Sequence, residues 1–276
     1  MRLMSRYLII IFSLSLGFGS CNRTEPKPIN EDILDVKIQL IQTSTKMVKV
    51  DGGNYQPFYG TNDSLVFVKS FMIDEHQVTN ADFLEFVKKN PQWRRSQAKG
   101  IFVDSSYLKN WVADTILPKN ANPNAPVCNI SWFAAKAYAT SVQKRLPTLD
   151  EWEYLAMADE EVPNARKKKA YSDNIVDLYL VRDRQFNSVK KSSPNYWGVY
   201  NVFDLVWEWT EDFNSVLVTG DSRSGKFDDK NLVCAAGATN ATDVLNYAAF
   251  MRFGIRTSLK ANYTVANLGF RCAKDL

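Results

Sequence analysis

The chain has 276 residues, 45% hydrophobic and 13% aromatic, a composition that supports one substantial core and excludes an intrinsically disordered protein. Its 34 lysines and arginines against 30 acids give a net charge of +4, too mild for a nucleic-acid partner, which needs a concentrated basic face. One histidine and four cysteines leave a Cys/His metal site few ligands.

The chain opens MRLMSRYLIIIFSLSLGFGSC. Two arginines precede an apolar run, Tyr7 to Phe18, that is shorter than the roughly 20 residues needed to span a bilayer. This is the pattern of a secretory signal, expected over residues 1–20. A cysteine directly after Gly19-Ser20 stands where bacterial lipoprotein signals are cut and acylated, so Cys21 is the expected lipid attachment point. The expected location is the bacterial envelope, membrane-anchored, with the periplasmic face and the cell surface both open. Without the signal the charge falls to 32 basic against 30 acidic residues. Residues 21–45 begin polar and proline-bearing and read as a tether, with the domain at 46–276. Cys128, Cys234 and Cys272 remain, enough for one disulfide and one free thiol.

MVKVDGGNYQPFYG alternates apolar and polar residues before Gly52-Gly53, which predicts a strand and a hairpin turn. VFVKSFMIDEHQVT is a second strand-like run. Ala81, Phe83, Leu84, Phe86 and Val87 recur near helical spacing after Thr79 or Asn80 as N-cap. A second helix is predicted after Ser131, and a third after Thr148, which forms an S/T-x-x-E capping box with Glu151. Beyond it the sequence reads as turns and short strands, within a single domain of mixed α and β.

Three features offer chemistry and do not sustain it. GDSRSGKF imitates a phosphate loop, but Phe227 stands where a magnesium-binding hydroxyl is needed. The basic run at 166–169 reads as a solvated loop. His76, near Asp74 and Glu75, has no nucleophile motif to serve and reads as structural.

Four segments, in order, carry a resemblance. MVKVDGGNY with FMIDEHQVTNADFLEFV is similar to the opening of formylglycine-generating enzymes, also called sulfatase-modifying factors. PVCNISWFAAKAYATSVQKRLPTLDEWEYLA resembles their central signature, WGVYNVFDLVWEWTEDF their G-L-Y-N-x-x-G-N-x-W-E-W-T stretch, and ANLGFRCA their terminal N-L-G-F-R-C-A. The resemblance runs from about Met47 to Asp275. It implies a single α+β domain of the irregular formylglycine-generating-enzyme fold, related to C-type lectins.

The same resemblance implies oxidation of a substrate cysteine to formylglycine at Cu(I) held by two cysteines spaced C-x-x-x-x-C, since Cu(I) takes soft thiolate ligands. Counted back without gaps from NLGFRCA, those positions are Asp243 and Ala248, and the nearest thiol, Cys234, lies nine residues before Asp243. Copper is therefore not expected, and no catalytic residue is assigned. A structural Ca2+ is implied at the side chains of Asn201 and Glu208 and the carbonyls of Asp204 and Val206, where Asp204 replaces the family's usual glycine. The family's disulfide to Cys272 cannot form, because its partner position is Ala139. Cys272 then reads as a small buried hydrophobe unless it reaches Cys128 or Cys234.

The implied function is a non-catalytic, lipid-anchored binding or accessory module with a protein or peptide partner. Its candidate groove is Tyr247, Phe250, Arg252 and Arg256, the arginines either recognising carboxylates or phosphates or bracing the core through carbonyls. Relatives imply two settings, a nitrite reductase or denitrification system and a motility or secretion assembly. The alternative is an oxidoreductase of the same fold with a rebuilt metal site, though the related iron-dependent chemistry needs several histidines.

Overall fold

A computed structural model describes residues 37–58, 65–168, 170–214 and 246–276. The signal and Cys21, the phosphate-loop imitation at 220–227, Cys234 and Asp243 lie outside the described residues. Packing starts earlier than the boundary expected at 46. Ile38 and Ile41 lie against the main core, and the Ile41 N–H donates to Ser141 O at 2.9 Å.

Two strand–corner–strand units cross early in the chain. β1 (Met47–Val50) and β2 (Gly53–Tyr55) are joined at Gly52, and β3 (Val66–Val68) and β4 (Phe71–Asp74) at Ser70. The expected hairpin at Gly52-Gly53 is not formed. β1 instead pairs antiparallel with β4, and β2 with β3, so the corner passes between two sheets. Gly52 is required by that crossing, because a Cβ there would lie 2.4 Å from Val68 O and 2.6 Å from Ser70 N. β7 (Ala273–Asp275) adds to the other edge of β4, giving the order β1-β4-β7. A short parallel pair, β5 (Trp207–Glu208) with β6 (Leu268–Gly269), joins the two motif segments that carry Glu208 and Arg271.

The three predicted helices form where their caps place them. α1 (Asn80–Lys89) starts on Thr79 with a capping box to Asp82, and α2 (Trp132–Ser141) on Ser131, whose hydroxyl accepts the Ala134 N–H. α3 (Leu149–Leu155) has its box closed both ways, with Glu151 N–H on Thr148 Oγ1 at 3.1 Å and Thr148 N–H on Glu151 Oε2 at 2.8 Å. Such caps each contribute about 1 kcal/mol. Between α1 and α2 the aromatic core is built from Phe83, Phe86, Tyr138 and Phe270, with Phe83 and Tyr138 stacked at 5.9 Å.

The stretch after α3 departs from expectation. It holds two further helices, α4 (Tyr171–Leu180) and α5 (Tyr247–Ser258), which pack on each other. The described residues from Ile38 onward make one compact α+β unit, as the motifs imply.

Candidate functional site

α5 begins on Asn246, whose side chain accepts the Ala249 N–H at 3.0 Å. A helix turns about 100° per residue, so Arg252, Ile255 and Arg256 share one face while Tyr247 and Phe250 occupy the opposite one. Burial follows that division: Arg252 and Arg256 are each 5% exposed, Tyr247 is 56% exposed and Phe250 38%. The four residues expected to line one groove are thus split between two faces. Outside, the rings of Tyr247 and Phe250 stack at 5.9 Å.

Inside, both arginines converge on one carboxylate from α3. Arg252 forks onto Glu153, with Nε to Oε1 at 3.0 Å and Nη2 to Oε2 at 2.7 Å, and its Nη1 donates to Tyr179 Oη at 3.3 Å. Arg256 Nη1 donates to Glu153 Oε1 at 2.6 Å. Both guanidiniums lie over Trp152, at 5.6 Å and 4.7 Å from the ring centre. Burial pushes the Glu153 carboxyl up, but Arg252 and Arg256 outweigh it and hold the group at about 2, against an ordinary 4.5. The Tyr179 phenol beside them is pushed up by burial. The arginines therefore brace α5 against α3 through a side-chain carboxylate, where bracing through carbonyls was the expected alternative. Both arginines line a narrow cleft walled by Trp152, Tyr179 and Trp207, and Arg252 also lines a second one with Tyr55, Phe58 and Tyr171.

Ala248, the position of the second copper cysteine, is fully buried in the first turn of α5, its N–H toward Ser172 Oγ at 3.4 Å. Cys128 and Cys272 are free thiols. Burial pushes Cys128 up to about 12 and Cys272 well above the thiol range, the latter helped by Asp74. Cys272 is 0% exposed, which suits the small-hydrophobe role expected of it.

The residues expected to hold calcium are close in the chain, and their side chains already have protein partners. Glu208 already accepts four hydrogen bonds: from Arg271 Nε and Nη2, each at 2.8 Å, from Gln77 Nε2 at 2.8 Å and from Trp152 Nε1 at 2.9 Å. Asn201 Oδ1 accepts the Lys190 N–H at 2.7 Å, and its Nδ2 donates to Ser192 Oγ and Asp204 Oδ2, each at 2.9 Å. Val206 is buried at 3% exposure. Beside them two buried side-chain oxygens have no hydrogen-bond partner among the described residues, Asp204 Oδ1 and Gln77 Oε1. Ca2+ takes six to eight oxygens, so the Asn201 and Glu208 side chains would have to exchange these partners to join the carbonyls of Asp204 and Val206 around it. His76 has Nδ1 at 2.8 Å from Gln77 O and takes no part in the site.

Sequence reading missed the partners of these groups: Glu153, Tyr179, Gln77, Lys190 and Arg271. The i, i+4 spacing of Arg252 and Arg256 was the available signal for two arginines sharing one acid.

Comparison with known proteins agrees with the motifs. Residues 35–276 match the family model described as sulfatase-modifying factor enzyme 1-like domain. The formylglycine-generating enzyme of Mus musculus is 28% identical over 285 residues, covering 84% of this chain and 75% of the mouse protein. The enzyme of that name from Streptomyces coelicolor is 30% identical over 252 residues, covering 76% of this chain and 80% of its own. A Bos taurus protein named inactive C-alpha-formylglycine-generating enzyme 2 is 27% identical over 275 residues, covering 83% and 88%. Among solved structures, Treponema denticola variable protein 1 superposes with a TM-score of 0.46 at 18% identity, over 83% of this chain and 95% of that one. The chain belongs to the sulfatase-modifying-factor family, that of the formylglycine-generating enzymes, and has its irregular α+β fold.

Proposed function

We propose that this chain is a non-catalytic member of its family, a lipid-anchored accessory module of the bacterial envelope that engages a protein or peptide partner. The observation that carries the reading is Ala248. A methyl group buried in α5 stands where a thiolate is needed, and Asp243 stands at the other copper position. Cys272 is sealed in the core at 0% exposure, in contact with Asp74, and offers no substitute. The Bos taurus relative whose name calls it inactive supports the same direction. Of the expected groove, Tyr247 and Phe250 remain available for a partner, while Arg252 and Arg256 are committed to Glu153.

The test uses the full chain with Cu(I), O2 and a cysteine-bearing peptide, and reads aldehyde formation together with retained copper. The expected result is neither aldehyde above the blank nor stoichiometric copper. Turnover with copper retained overturns the reading. The anchor is tested separately: Cys21→Ser moves the protein from the membrane to the soluble fraction if Cys21 is acylated.

A further inference from the structure

Charge is uneven along this chain. Residues 88–119 hold seven lysines and arginines and two aspartates, so that stretch alone carries +5 in a chain whose total is +4. Both aspartates have neutral partners: Asp104 accepts the Thr264 N–H at 3.1 Å, and Asp114 the Ser96 hydroxyl at 2.6 Å. Lys88 pairs with Glu85. Lys89, Arg95, Lys99, Lys109 and Lys119 are exposed and make no ion pair among the described residues.

The stretch is held from below. Trp93, Tyr107 and Trp111 are buried under it, and Tyr107 Oη donates to Trp93 O at 2.9 Å. Arg95 crosses it, donating to Trp111 O at 2.8 Å and Val112 O at 3.3 Å. Beside that guanidinium the Val112 N–H closes a turn on Ile116 O at 2.9 Å. The turn leaves two aliphatic side chains outside, Val112 63% and Ile116 54% exposed, and Ile101, two residues after Lys99, is 66% exposed.

Cations interleaved with exposed aliphatics suit anionic phospholipid, whose headgroups take the charge while the aliphatics enter the boundary below them. A nucleic acid strand would be gripped by stacking rings, and the rings of this stretch are buried. The path of the chain points the same way. Its compact unit begins at Ile38, and the next residue, Gln39, is bonded to Asn90 within the basic stretch, by its N–H at 2.7 Å and its carbonyl at 3.1 Å. Residues 22–37 separate that point from Cys21, a length of no more than about 60 Å even at full extension. An acylated Cys21 therefore keeps this face within reach of a bilayer.

We infer that the face built from residues 94–119 seats on anionic phospholipid, so that the domain lies against the membrane instead of only being tied to it. Proximity to the membrane rests on the proposed anchor; the seating does not.

The test adds the full chain to vesicles of phosphatidylcholine, alone or mixed with phosphatidylglycerol. Flotation with the neutral vesicles reads the anchor, and amide hydrogen exchange on both kinds reads the seating, so the two fail separately. Exchange over 94–119 is expected to slow on the anionic vesicles only, with α4 and α5 unchanged, and molar salt should abolish the effect. Lys99→Gln with Lys109→Gln should cut the ratio of seated to free domain by about 25-fold, near fivefold per charge, and leave the unfolding midpoint as it is. Equal exchange on the two kinds of vesicle overturns the inference, as does protection that survives molar salt or the double substitution. Protection that grows with protein concentration and not with phosphatidylglycerol assigns the face to a second copy and overturns it as well.

Discussion

Glu208 and Glu153 both lie buried beside Trp152 and both are held by arginine, but Glu208 has one guanidinium and Glu153 has two. Around Glu208 the account closes: each carboxylate oxygen has two donors, and backbone carbonyls take the rest of Arg271. Around Glu153 one negative charge serves two positive ones, and Arg256 has a single side-chain acceptor among the described residues. The closed pair fixes a loop between strands. The open triad ties α5 to α3 and leaves one guanidinium edge on a cleft. Buried charges with equal burial can thus differ in how much the fold depends on each partner.

The largest effect is expected from removing the shared acid. Glu153→Gln strands two guanidiniums at once and should lower unfolding stability by about 5 kcal/mol in urea titration, at the upper end for a broken buried pair. A loss under about 1 kcal/mol would show that the arginines find water or other acceptors.

Acid should break the triad more gently. The folded carboxyl of Glu153 sits at about 2 and its ordinary value is 4.5. A depressed folded value means the stabilisation is complete above the ordinary value and is lost as pH falls through the folded one. The contribution, on the order of 3 kcal/mol, should fade between about pH 4.5 and 2. Unfolding midpoints followed through that window should show it, and Glu153→Gln should flatten that part of the curve.

Arg256→Met converts the triad into a one-to-one pair like that of Glu208. Its cost should be about 2 kcal/mol, smaller than that of Glu153→Gln, from one charge-assisted hydrogen bond and the ring contact with Trp152. A double-mutant cycle with Glu153→Gln measures how much of the first effect belongs to this arginine. The smallest change should be a gain. Gly254 lies mid-helix on α5 with open space where a side chain would go. Gly254→Ala should therefore stabilise by about 0.5–1 kcal/mol, and a loss in the same titration would show that something covers that face.

Legibility in the sequence followed local chemistry. Thr79, Ser131 and Thr148 announced three helices, because a side-chain cap is written within four residues of the start it controls. α4 gave no such signal, since Ala170 precedes it without a side-chain cap. α5 does have one in Asn246, but its density of aromatics and arginines reads as a loop-borne site. The helical period sets Tyr247 and Phe250 apart from Arg252 and Arg256. The hairpin at Gly52-Gly53 failed for a different reason. A glycine pair marks close approach as well as a turn, and only the fold shows that the approaching backbone is that of Val68 to Ser70. Family motifs supplied the fold and the lost copper positions. The partners of Glu208 stand in those same motif segments, at residues 77, 152 and 271, but the motifs do not say that they meet.

The central position of β4 has a consequence for how the chain folds. One of its edges is filled from β1, just upstream, while the other waits for β7, roughly 200 residues downstream in a closure whose entropy grows only slowly with length. Until that last strand arrives, β4 is an open edge able to pair with any other extended chain. The contacts of Phe83 and Phe86 with Tyr138 are nearer in sequence and should form first, leaving Phe270 and the sheet to be completed last. In a cell, the interval between those two events is when the nascent domain is most exposed to aggregation, and a chaperone bound at Phe71–Asp74 would serve it best.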